Sequence, residues 1–70
     1  MATLSQAKLP LASLIDADLS HANLAEACLS NAYFFNAKLS NANLEKANLC
    51  AANLMFANLG GAKLNGADLK

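Results

Sequence analysis

Cys28, Cys50, His21 and the neighbours Asp16 and Asp18 are the side chains best suited to covalent or acid–base chemistry. A cysteine nucleophile needs a histidine within hydrogen-bond reach to take its proton. A closed structural zinc site takes four ligands, and two cysteines with one histidine fall short of that. Asp16 and Asp18 stand too close along the chain to aim two carboxylates at one substrate from separate positions. Gly60, Gly61 and Gly66 do not form a glycine-rich phosphate loop. Five lysines balance five acidic residues, for a net charge of zero. That balance argues against a clustered cationic grip on nucleic acid and equally against an acidic imitation of DNA.

The order of residues decides where these groups can sit, and it is dominated by a repeat. A large apolar residue falls at every fifth position from Leu4 to Leu69, always leucine except Phe34. Alanine stands two residues before each, from Ala2 to Ala67. The 70 residues are thus fourteen five-residue units, with no linker and no unrepeated stretch expected. Hydrophobic residues make up 56% and charged ones 14%, which excludes compositional disorder. Asparagine or charge interrupts each apolar run long before the roughly 20 residues of a membrane-spanning helix. The apolar stretch from Leu9 to Ile15 keeps the repeat register and is read as part of the fold, not as a targeting segment.

A period of five excludes an α-helix, because successive leucines would advance by about 140° and cover every side. A flat strand fails too, since five is odd and faces alternate with period two. The pattern is met when each Ala-x-Leu shares one side of a short extended segment and the chain then bends in a constant sense. The residue after the large one reads Ile15, Phe35 and Met55 at intervals of twenty. Asp18 with Lys38, and Glu26 with Lys46, recur at the same interval. Twenty residues per coil would stack these on rungs about 4.8 Å apart. Four units per coil make the coil square, with three and a half coils in a column about 17 Å tall.

The unit resembles the A-[D/N]-L-x-x repeat of pentapeptide-repeat proteins, as in Ala17-Asp18-Leu19, Ala22-Asn23-Leu24, Ala42-Asn43-Leu44 and Ala52-Asn53-Leu54. The resemblance covers essentially the whole chain. It implies an all-β fold, a right-handed quadrilateral parallel β-helix with alanines and leucines inside, forming one domain over residues 1–70. Lys8, Cys28, Tyr33, Lys38 and Lys63 depart from Asp or Asn in the polar slot, which faces outward, so no damage to the fold is expected.

In such a coil Cys28 and Cys50 share one outer face but lie two residues out of register. Their Cα atoms would be about 8 Å apart, beyond the reach of a disulfide. Both read as reduced thiols, and the cytoplasm is the expected compartment. The family's plant members make the thylakoid lumen the alternative. His21 falls at a corner beyond the fourth face, away from both cysteines. The glycines read as smooth corners. No enzyme, cofactor, metal or small-molecule substrate is expected.

The outward apolar residues are the better candidates. Ile15, Phe35 and Met55 form a vertical ladder, with Tyr33 beside it and Phe56 at the adjoining corner. A contiguous exposed apolar patch marks an interface more often than an idle surface. Leu11 is placed at the corner of Asn36 and Phe56 as a further member. At the C-terminal edge Leu54, Leu59, Leu64 and Leu69 are candidate end-stacking residues. The expected function is a non-enzymatic interaction module whose partner is another protein or a second copy, with no nucleic acid and no membrane span. The rival that the resemblance offers is a DNA-mimicking inhibitor of DNA gyrase, disfavoured by zero net charge and short length.

Overall fold

The computed structural model describes residues 3–70; Ala2, the inner small residue of the first unit, lies outside the described residues. Each unit contributes one bridge residue, in the slot between alanine and the large residue, paired in parallel with the slot residue twenty positions on. Thr3 pairs with Asn23, Asn23 with Asn43 and Asn43 with Lys63, and the other three faces repeat this pattern. The coil is four-sided with a twenty-residue period. Its Cα extents are 18 Å along all three principal axes.

Three backbone hydrogen bonds per unit tie neighbouring coils. Leu24 N–H donates to Asn43 O (2.7 Å), Glu26 N–H to Glu45 O (2.8 Å) and Cys28 N–H to Ala7 O (2.8 Å). A fourth bond closes each corner between one unit and the next, as from Ala27 N–H to Leu24 O at 3.1 Å. The second corner residue has φ near +60° at Gln6, Leu11, Asp16, His21, Glu26, Asn31, Asn36, Asn41, Lys46, Ala51 and Phe56. Positive φ at the third of four turn residues is the mark of a type II turn. For a residue with a Cβ this costs roughly 1–2 kcal/mol, which the ladder bonds and the core must offset. Only Gly61 and Gly66 occupy the position without that cost.

The first corner N–H takes no part in the ladder, and the polar slot explains where it goes. Asn23, Asn43, Asn48, Asn53 and Asn58 each accept, through Oδ1, the N–H two residues on, at 3.0–3.1 Å. Asp18 and Asp68 do the same for Ser20 and Lys70. This is an Asx turn, and it gives the repeat a physical reason for Asp or Asn in that slot. Lys8 cannot accept such a bond. The corner that follows it opens on Pro10, which has no N–H and suits the second residue of a type II turn.

The core is a stack of inward Ala and Leu ladders. Leu24, Leu29, Phe34, Leu39 and Leu44 are entirely buried, with Ala22, Ala27, Ala32, Ala37, Ala42 and Ala47 between them. Leucines of the outer coils, among them Leu4, Leu14, Leu54 and Leu64, are only partly buried against this cluster.

Candidate functional site

The third face carries Ser13, Tyr33 and Asn53 as stacked bridge residues. At the corner that follows it, Ile15, Phe35 and Met55 lie one above another. Asp16 N–H donates to Phe35 O (3.0 Å) and Asn36 N–H to Met55 O (2.9 Å), which holds the three in register. Their side chains are exposed at 48%, 38% and 57%, and Tyr33 at 46%. Phe56, at 74%, reaches back across the rung to Phe35, with ring centroids 5.5 Å apart and planes at 81°. Such an edge-to-face pair contributes about 0.5–1.5 kcal/mol beyond its area. Residues from three coils therefore form one apolar surface, bordered by the hydrogen bond from Asn36 Nδ2 to Asp16 Oδ1 (2.8 Å).

Leu11 is corrected. It stands at the preceding corner, where its N–H donates to Ser30 O (3.0 Å), above Asn31 and Ala51. Five residues move a side chain one corner round the square, whereas twenty move it one coil along. Leu11 is thus exposed but on a different edge from Phe56.

The reactive groups do not converge. Cys28 and Cys50 are both free, and Cys28 Sγ lies 3.9 Å from Ser30 Oγ. Asp16 is held by Asn36 on one edge, and Asp18 by Ser20 on the next face. The Ser20 hydroxyl, then its N–H, hold the Asp18 carboxyl below the usual carboxylate range; Lys38 and His21 add smaller pulls. Among the described residues, no three His, Cys, Asp or Glu side chains gather as metal ligands. A shallow groove runs along the corner after the first face, lined by Ala25, Glu26, Glu45, Lys46, Asn65 and Gly66. It mixes both signs of charge, and Glu26 already accepts a hydrogen bond from Gln6 Nε2 (3.0 Å).

At the C-terminal edge Leu54, Leu59 and Leu64 are partly buried and Leu69 is 53% exposed. Among the described residues no helix is long and apolar enough to cross a membrane.

The signature of the family described as pentapeptide repeats (8 copies) matches twice, over residues 2–34 and 32–70. The crystal structure of HetL, a pentapeptide repeat protein involved in heterocyst differentiation regulation in the cyanobacterium Nostoc sp., is 46% identical, with a TM-score of 0.94. The match takes in 99% of this chain and 32% of HetL. Rfr23 of the cyanobacterium Cyanothece is 34% identical over 97% of this chain and 50% of its own, with a TM-score of 0.77. A pentapeptide repeat protein of the Arabidopsis thaliana thylakoid lumen is 32% identical over 94% of this chain and 49% of its own, at 0.59. The chain thus spans between a third and a half of the length of these structures. No curated protein sequence matches it.

Proposed function

Since the chain belongs to the pentapeptide-repeat family, whose fold is the right-handed quadrilateral β-helix, we propose that it acts by contact and not by catalysis. The described residues work as one rigid module whose third face and following corner dock a protein partner. The observation that carries this reading is the exposed cluster of Ile15, Tyr33, Phe35, Met55 and Phe56, held in place by ladder bonds from three coils. A rigid backbone loses little freedom on binding, so its apolar contact area converts well into affinity. The involvement of HetL in a regulatory process fits a relative that works through binding. Two free thiols suit a reducing compartment such as the cytoplasm.

Photo-crosslinking from Tyr33, compared with crosslinking from Asn48 on another face, tests the docking surface. The expected result is an adduct from Tyr33 alone that disappears in the Phe35→Ser, Met55→Ser double variant. Equal adducts from both faces would defeat the reading. A gyrase supercoiling assay is expected to show no inhibition, because a column of zero net charge lacks the phosphate-like field of DNA.

A further inference from the structure

Among the described residues, every exposed large apolar side chain except the inward Leu69 lies on one side of the square. Tyr33 stands on the third face, Ile15, Phe35, Met55 and Phe56 on the corner that follows it, and Leu11 on the corner that precedes it. The two corners are unequal in bulk. Below Leu11 the next two rungs carry Asn31 and Ala51 at the second corner position, whereas the same rungs across the face carry Phe35 and Phe56. Charge is distributed just as unevenly. The bridge residues of the third face, Ser13, Tyr33 and Asn53, are all neutral. Lys63 stands on the first face, Lys8 and Asp68 on the second, and Asp18 and Lys38 on the fourth. Over the three rungs from Leu11 to Phe56, the third face and its corners hold one charged side chain, Asp16, which accepts from Asn36 Nδ2 at 2.8 Å.

From this pattern we infer that the third face pairs with the third face of a second copy, the two columns running parallel about a two-fold axis between them. The inference names the partner of the docking surface proposed above, and it rests on that reading. Such an axis turns the corner of Leu11 onto the corner of Phe35 in the other copy, rung for rung and on both sides at once. Phe35 then lies over the low shoulder at Asn31, Phe56 over Ala51, and Ile15 against Leu11. Tyr33 meets its own copy beside the axis. Asp16 falls on the rung of Leu11 and never against another carboxylate.

Other arrangements fit these residues less well. Antiparallel columns would set Phe35 against Phe35 along one border and leave Asn31 facing Asn31 across a gap on the other. Pairing through the first, second or fourth face would take lysine or aspartate out of water. An added strand has no backbone to pair with on this face. Tyr33 N–H is already given to Ala12 O (2.8 Å) and Phe34 N–H to Asn53 O (2.7 Å), so the occupant must bind through side chains. Three rungs of one face are small beside the roughly 800 Å² per partner of a standard interface, so the 70-residue polypeptide pairs weakly. The contact is isologous and closes, which stops association at the dimer.

Sedimentation of the 70-residue polypeptide up to millimolar concentration should show a reversible dimer. On dilution, the amide NMR shifts of Leu11, Tyr33 and Phe56 should follow one binding curve, while those of Asn48 and Lys63 stay fixed. Ala51→Glu and Phe56→Lys put opposite charges on corners that face each other only across the parallel pair. Glu26 and Lys46 already occupy the same corner position with the same φ of 61°, so the fold accepts both changes. Each variant alone should weaken the dimer by about tenfold, and an equimolar mixture should recover most of that loss. No recovery on mixing overturns the parallel register. A dimer whose shifts map to another face overturns pairing through the third face. A monomer at every concentration overturns the second copy as the partner, and the shift measurement needs no variant to show it. The docking surface is read separately by the Tyr33 adduct: an adduct with a different protein, without a dimer, leaves that reading standing, and loss of both overturns both.

Discussion

Leu44 and Leu69 occupy the same position in the same five-residue unit, yet one is wholly buried and the other 53% exposed. The contrast extends to whole regions. From Ala22 to Leu49 the inward Ala and Leu side chains form a dry core, and on either side the same pattern is only partly covered. A unit therefore does not bury its own leucine; the coils above and below do. Stability in such a column is a sum of intrinsic unit terms and neighbour terms, and only the second kind changes from the middle to the edge.

The largest test of that division is a charge placed inside. Leu44→Asp should cost about 4 kcal/mol or more, because the carboxylate would have neither water nor a partner. Leu69→Asp should cost less than about 1 kcal/mol, since half of that side chain already meets solvent. Urea unfolding of both variants measures the difference. Equal losses would break the comparison.

Corner geometry belongs to the other class and should not depend on position in this way. Gly66 has φ +74°, and a Cβ there would approach Lys46 Cγ to 3.2 Å. Gly66→Ala should lower stability by about 1–2 kcal/mol even though it lies in the last coil. Ala51→Gly, at φ 61°, should raise it by roughly 1 kcal/mol by relieving the same strain. Thermal unfolding of the pair gives the two signs, and a destabilising Ala51→Gly would contradict the corner's cost.

The Asx bonds are smaller and equally local. Asn43→Ala removes the acceptor for Glu45 N–H, and Asn58→Ala removes that for Gly60 N–H. Each should cost about 1 kcal/mol, alike in the middle coil and near the edge. A large difference between them would mean that this bond depends on stacking after all.

The column itself could be read from the residues because its period is rigid. Every fifth residue is large, and outward features such as Ile15, Phe35 and Met55 recur at twenty. The corners were less legible. Leucine, lysine, glutamate and phenylalanine at a left-handed position run against turn preferences, so Leu11, Lys46, Glu26 and Phe56 gave no local sign of positive φ. The Asx bonds did leave a signal, Asp or Asn two residues before an N–H that the ladder leaves over. It becomes visible only when each backbone donor is assigned a destination. At the candidate site the vertical ladder was legible from the twenty-residue interval. The turn of Phe56 toward Phe35 was not, since it depends on side-chain packing across adjacent rungs. Leu11 was misplaced by one corner, because Asn36 and Phe56 lie 25 and 45 residues on and the twenty-residue interval leads instead to Asn31 and Ala51.

The smallest expected effect separates Asp18 from the asparagines that make the same bond. The Ser20 hydroxyl and N–H favour the ionised carboxyl and lower its pKa from the usual 3.8, with weaker help from Lys38 and His21. The folded value lies below the unfolded one, so the contribution is complete above about 4 and fades as pH falls through the folded value. Asn23, Asn43, Asn48, Asn53 and Asn58 hold their corner N–H groups at 3.0–3.1 Å with a neutral amide, and that bond has no proton to gain. Asp18→Asn should therefore leave stability near pH 7 almost unchanged while flattening part of its decline below pH 4. The side chain is fully open to water, so the change will be small and salt will shrink the share due to Lys38. Unfolding midpoints of wild type and variant between pH 7 and pH 2 measure it. Parallel curves through the acid range would show that the Ser20 bond at this corner is as neutral in effect as an asparagine's.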